Sequence, residues 1–276
     1  MTKHILVPTD GSEQAMLGVR YAVAVAKHYE ATVHGLHVMD IKLLEGPFLR
    51  DVSASLGTAP YANYQGNITM ILEERGKLAL SVFQQVCEEA GVAFTMEQVA
   101  GLVPRTILEK SELTDLIILG RSGEHSEWLE GLLGSTTQAV VRRSTRPVLV
   151  TGLATPGRER FLAAYDGSPH AKKALQVAVQ VCSTWRAPLE VLTVGGSKAG
   201  ALLEEARAYL DPHDIAVNYV AREGDPSETI VEHASECKAD LLIMGAYGHT
   251  KVRELVVGST TAYAMNRAAC PLLLTR

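Results

Sequence analysis

The chain repeats itself, and the repeat limits what it can fold into more than any other feature. "HILVPTDGSEQA" at 4–15 returns as "RFLAAYDGSPHA" at 160–171, and "TDLIILGRSGEH" at 114–125 returns as "ADLLIMGAYGHT" at 239–250. "GSTTQAVVRRSTRPVLVT" at 134–151 returns as "GSTTAYAMNRAACPLLLT" at 258–275. The three blocks keep their order, so one folding unit is written twice. The break falls at "GLATPGRE" (152–159), where Gly and Pro punctuate the chain. The predicted domains are therefore 1–152 and 158–276. Asp10 to Gly120 spans 110 positions and Asp166 to Gly245 spans 79, so the first copy carries about 31 more residues. Most fall at about 41–66, a stretch rich in Gly, Pro, Ser and Tyr that reads as a loop or partial lid.

Within each copy, short apolar runs alternate with helical patterns. In the first, strands are predicted at 4–9, 32–38, 92–99, 115–120 and 147–151. Helices are predicted at 12–29, 68–90, 104–112 and 135–144. The second copy gives strands near 161–165, 189–194, 215–221, 241–245 and 271–275. Runs that are apolar throughout are strands buried on both faces. Their alternation with helices predicts an α/β fold, with a five-stranded, doubly wound parallel sheet in each copy.

In such sheets ligands bind beyond the carboxyl ends of the strands, where strand order reverses. The second copy places "GAYGHTKVRELVVGSTT" there, with Gly245, Gly248, Gly258 and Ser259 spaced as G-x2-G-x9-G-S. Gly245 and Gly248 permit positive φ and close approach of a ligand to the backbone. Ser259 is placed to cap the following helix, whose N–H groups attract an anion. Plain turns are the competing reading of these glycines. Asp10 and Asp166, after the first strand of each copy, suit a ribose hydroxyl or a base; a turn or cap role competes. Val38 and Val194, ending the second strands, suit an adenine wall or plain core. His125 and His249 follow the second glycine of each loop and suit a phosphate contact or acid–base help in a slow hydrolysis; a plain polar loop position competes.

"LVPTDGS", "DLIILGRSG", "GSTT" and a closing "RPVLV" or "CPLLL" resemble the universal stress protein family in its tandem form, over nearly the whole chain. The resemblance implies a flavodoxin-like, Rossmann-type fold of the adenine nucleotide alpha hydrolase kind. It implies ATP or another adenine nucleotide, with or without Mg2+, held by the glycine loop and the first-strand Asp. It also implies pairing of the two final strands, within one chain or in a homodimer. The second copy matches the nucleotide motif at Asp166, Val194, Gly245, Gly248, Gly258 and Ser259, with His249 and Thr260 beside it. The first copy has Asp10, Val38, Gly120, Gly123, Gly134 and Ser135, but ten residues rather than nine fill its second gap. That gap carries Glu124, Glu127 and Glu130, where the second copy has Lys251 and Arg253. Carboxylates disfavour a triphosphate and cations assist it, so the second copy is the expected nucleotide site.

Other classes find less support. There is no GxxxxGK[ST] loop and no GxGxxG after a first strand. His34 and His37 lie on a strand, and their spacing sends them to opposite faces. A net charge of −5 without a basic block argues against nucleic acid or an anionic membrane as partner. No run of apolar residues is long enough to span a bilayer, and the start does not read as a signal peptide. Cys87, Cys182, Cys237 and Cys270 form no CxxC pair, so reduced thiols, a cytoplasmic setting and no zinc cluster are expected. A stress-protective or regulatory nucleotide binder is the leading expectation. A slow Mg2+-dependent ATPase and a non-binding scaffold stay open.

Overall fold

The computed structural model describes residues 2–45, 59–123, 133–152, 159–246 and 258–276. The first copy runs β1 (His4–Pro8), α1 (Glu13–Tyr29), β2 (Thr32–Asp40), α2 (Lys42–Glu45), α3 (Ala59–Ala90) and β3 (Phe94–Gly101). It continues with α4 (Val103–Lys110), a 3-10 turn (Ser111–Leu113), β4 (Leu116–Leu119), α5 (Ser135–Arg143) and β5 (Val148–Val150). The second copy runs β6 (Phe161–Ala164), α6 (Pro169–Trp185), β7 (Leu189–Val194), α7 (Ala199–Leu210) and β8 (Val217–Arg222). It ends with α8 (Pro226–Glu236), β9 (Leu241–Gly245), α9 (Ser259–Arg267) and β10 (Leu272–Thr275).

The strands form one sheet in the order β3-β2-β1-β4-β5-β10-β9-β6-β7-β8. Within each half every pairing is parallel. β5 and β10 meet antiparallel, with Leu272 opposite Val150 and Leu274 opposite Val148. The two five-stranded sheets are thus one ten-stranded sheet joined through their last strands, as the family resemblance implies.

Side chains alternate across each strand. Ile5 and Val7 enter one core, with Phe83 of α3 and Val19 of α1. Leu6 enters the other, with Ile107 of α4 and Val140 of α5. Both cores run through both halves. The duplication also shows in the caps. Ser12 and Ser168 accept from Ala15 N at 3.2 Å and Ala171 N at 3.1 Å, opening α1 and α6 alike. The same two helices close on left-handed residues, Glu30 at φ 50° and Arg186 at φ 53°.

The stretch expected as a loop or lid at 41–66 is helical at Lys42–Glu45 and again from Ala59; residues 46–58 lie outside the described residues. Pro60 and Gly66 suggest a break, but a proline in a helix's first turn gives up an N–H that has no acceptor there anyway. α3 therefore has 32 residues, about 48 Å at the usual rise. It lies close on the sheet. A Cβ on Gly76 would come within 2.6 Å of His37 Cδ2 and of Gln98 Nε2. Gly35 of β2 leaves the space that the fully buried Phe83 ring fills.

Candidate functional site

The order β3-β2-β1-β4-β5 reverses direction between β1 and β4, and the second half reverses between β6 and β9. The carboxyl ends at these two points are where a ligand crevice belongs. In the first half Asp10 is exposed two residues beyond β1, and its Oδ1 accepts from Ser12 N at 3.0 Å. Asp166 is exposed in the same place beyond β6 and accepts from Ser168 N at 2.9 Å. The residue after each, Gly11 at φ 83° and Gly167 at φ 76°, occupies the left-handed region that favours glycine. The Asp-Gly pair is a turn signal in the sequence, and it places the capping serines.

Gly123 meets Asp10: a Cβ there would lie 2.5 Å from Oδ2. Gly134 closes the same loop by donating to Arg121 O at 2.8 Å. Gly245 is not in positive φ, which corrects the sequence reading of it, and its counterpart Gly120 is not either. They are glycine because each strand end presses on the first turn of a helix. A Cβ on Gly120 would lie 2.5 Å from Gln14 O, and one on Gly245 would lie 2.8 Å from His170 Cβ.

The "GSTT" segment also differs from expectation. The N-caps of α5 and α9 are Gly134 and Gly258, without a side-chain cap bond. Ser135 and Ser259 are the first helical residues and are exposed, so their hydroxyls do not serve as caps. The first ladder bonds are Gln138 N to Gly134 O at 3.0 Å and Ala262 N to Gly258 O at 2.9 Å. The N–H groups of the three residues ahead of each bond precede the ladder. The second threonine of each word anchors it to the strand end: Thr137 Oγ1 donates to Gly120 O at 2.9 Å, and Thr261 Oγ1 to Gly245 O at 3.1 Å. Thr260 Oγ1 lies 3.4 Å from Ser227 Oγ. Gly248, His249, Lys251, Arg253, Glu124, His125, Glu127 and Glu130 lie outside the described residues.

Val38 and Val194 are partly buried against the core that contains Leu36 and Leu192. β2 continues past Val38 to Asp40, whereas β7 does end at Val194. His37 is buried and its Nδ1–H donates to Thr9 O at 2.9 Å, while His34 reaches Thr95 Oγ1 at 2.6 Å. Both histidines are therefore engaged by neighbouring strands.

Arg121 is a site-loop residue that the sequence pattern did not single out. Its Nε donates to Thr151 O at 2.8 Å, and its Nη2 reaches Ala268 O and, at 3.2 Å, Cys270 O. It ties the first copy's loop to the second half. The matching residue of the second copy is Ala246, which is buried. Away from the carboxyl ends of the strands, the expectation of no clustered metal-type ligands is corrected: Glu190, His233 and Cys237 come together. Glu190 is 43 positions before His233 in the chain, so local spacing does not reveal it. Burial lifts the thiols of Cys87 and Cys270 to about 11 and that of Cys182 to about 12. These three are therefore protonated and unreactive at neutral pH.

The model of the "Universal stress protein family" matches residues 1–152 and 194–276. The chain belongs to the universal stress protein family. A universal stress protein of Synechocystis sp. (strain ATCC 27184 / PCC 6803 / Kazusa) is 28% identical, over 99% of this chain and all of that one. One of Methanocaldococcus jannaschii is 32% identical, over 54% of this chain and 81% of that one. Among solved structures, a universal stress protein from Archaeoglobus fulgidus DSM 4304 superposes with a TM-score of 0.78 at 23% identity, covering 100% of this chain and 99% of the other. A functionally unknown protein of Pseudomonas aeruginosa PAO1 gives 0.65 at 17% identity, covering 99% and 92%. At these identities the structures establish the shared fold of this family. Among the described residues no helix is long and apolar enough to cross a membrane.

Proposed function

We propose that the second copy of this universal stress protein binds an adenine nucleotide, ATP with or without Mg2+, in a regulatory or stress-protective role in the cytoplasm. The observation that carries the reading is the convergence at the β6/β9 reversal. Asp166 lies exposed beyond β6, Gly245 ends β9, and Thr261 pins the start of α9 to that same strand end. The donor set fits phosphate: N–H groups ahead of the α9 ladder, the exposed Ser259 hydroxyl and the Thr260 hydroxyl. In this reading Asp166 accepts from the ribose, Val194 lies beside the base, and Gly245, Gly248, His249, Gly258, Ser259 and Thr260 surround the phosphates. The first copy, with Asp10, Val38, Gly120, Gly123, Gly134 and Ser135, is the weaker site because of its longer, glutamate-bearing loop. The chain divides into functional units at 1–152 and 158–276.

Titration of the full chain with ATP by calorimetry tests this. Asp166→Ala should weaken binding by about tenfold, the value of one hydrogen bond of average strength, and Asp10→Ala should leave the tighter event unchanged. Absence of ATP binding, or its loss in Asp10→Ala alone, would overturn the assignment. Steady release of phosphate that disappears with Ser259→Ala would make the site a slow ATPase instead.

A further inference from the structure

The geometry points to a zinc-class divalent cation site formed by Glu190, His233 and Cys237, at the far end of the second half from the proposed nucleotide site. Glu190 is the second residue of β7, near the amino end of that strand. His233 is in the last turn of α8, and Cys237 is its C-cap, still in helical conformation at φ −80° and ψ −2°. Residues four apart lie on one face of a helix, so both side chains point toward β7. One ligand atom from each of the three residues falls within 4.8 Å of the others.

The donors suit zinc. A carboxylate, an imidazole and a thiolate are its usual ligands, with bonds of about 2.0–2.3 Å and tetrahedral geometry. The soft sulfur selects against Mg2+ and Ca2+. His233 Nε2 is 2.5 Å from Glu190 Oε1. A tetrahedral cation would hold these atoms a little over 3 Å apart, by arithmetic from about 2 Å bonds, so a shift of under about 1 Å admits it. The ion would replace the proton between them and that of the Cys237 thiol, and the protons would pass to solvent.

A second, independent observation points the same way. His233 is 6% exposed, and its Nδ1 is buried without a hydrogen-bond partner. The Glu236 carboxylate lies beside it, with Oε2 at 3.9 Å. With a cation on Nε2, the neutral ring carries its proton on Nδ1, facing that carboxylate. This is the outer carboxylate–histidine arrangement that orients metal-bound imidazoles. Glu236 is itself held by Arg222 Nη2 at 3.1 Å. The other carboxylate oxygen, Glu190 Oε2, accepts from Asn218 Nδ2 at 2.7 Å, which leaves Oε1 for the ion. Two anionic ligands balance the charge of a divalent ion.

Three protein ligands leave a fourth position open. A cavity of about 350 Å³ borders Glu190 and Cys237 and is walled by Arg160, Phe161, Val217 and Asn218. It has room for a water or a small anion on the metal, with Arg160 at its margin.

Zinc titration of the chelator-stripped full chain, against a competing chromophoric chelator, tests the site. One equivalent should bind, and Co2+ should show a thiolate charge-transfer band. Cys237→Ser and Glu190→Gln should each remove the tight event, and Cys237→Ser should remove the band, with unchanged circular dichroism. Asn218→Ala should weaken binding by about 10- to 100-fold. Failure of the wild-type chain to take up zinc, or uptake unaffected by Cys237→Ser, would overturn the proposal. Because no nucleotide enters the experiment, its outcome is independent of the ATP reading.

Discussion

At the residue scale, equivalent positions of the two copies have come to do different work. Arg121 and Ala246 occupy the same place after the fourth strand of each half, yet only Arg121 has a side chain that reaches across the seam, to the Ala268 and Cys270 carbonyls, while it also holds Thr151 O of its own half. Burial lowers its pKa, as expected for a cation partly withdrawn from water. Removing it strands acceptors that water replaces poorly. Arg121→Ala should therefore destabilise the chain by about 1–3 kcal/mol in urea unfolding, and Arg121→Lys, lacking the planar fork, should recover only part of that. A second prediction concerns Asp115. Burial alone would raise its pKa, but the N–H groups of Lys3 and His4, at 2.7 and 3.0 Å, bring it below the usual value. A depressed carboxyl stabilises the fold above its unfolded pKa, near 4, and loses that contribution as pH falls through the folded value. Asp115 is exposed, so solvent screening keeps the effect to about 0.5–1 kcal/mol. Asp115→Asn should cost that much at pH 7 and nothing at pH 2, measured by chemical unfolding at both.

At the element scale, Gly35, Gly76, Gly120 and Gly245 prove to be packing devices. Gly76→Ala should gain up to about 1 kcal/mol of helix propensity, but the new methyl meets His37, whose ring is fixed by Thr9 O. The expected net result is a loss of about 1–3 kcal/mol, visible as a lowered thermal midpoint. A net gain in Gly76→Ala would show that α3 can lift from β2. Strand and helix placement was legible in the sequence because the apolar runs and their alternation mirror burial directly, as "LIIL" of β4 does on both faces. The start of α3 was not, since Pro60 and Gly66 carry the same letters whether they break a helix or sit where it tolerates them. The site was legible in part. The motif located the Asp-Gly turns and the "GSTT" helix starts. It misread the backbone of Gly245 and the capping role of Ser259, because a glycine needed for close packing looks the same in sequence as one needed for positive φ, and a serine at the first helical position looks the same as a cap. The Glu190–His233–Cys237 group was hidden by distance along the chain.

At the scale of the whole molecule, the two halves share both cores and one sheet, so neither is expected to be content alone. Cutting the chain after residue 152 would uncover the β5 edge, whose Val148, Leu149 and Val150 are buried in the intact chain. An open apolar edge strand recruits another. Residues 1–152 expressed alone should therefore sediment as a dimer, and Leu149→Lys should render that fragment monomeric; a monomeric unsubstituted fragment would show that the seam is dispensable.

The antiparallel meeting of β5 and β10 has one more consequence. Every strand of the first half runs with β5 and every strand of the second runs with β10, so their carboxyl ends face opposite ways. The two crevices open onto opposite rims of the sheet. A protein that docks over one is on the wrong side to sense the other, and each rim can be addressed by its own visitor. The amino end of β7, with Glu190 and its neighbours, faces the same way as the first half's crevice. One rim would then offer the proposed cation site and the weaker first crevice, and the other the nucleotide: a single sheet with two differently labelled edges.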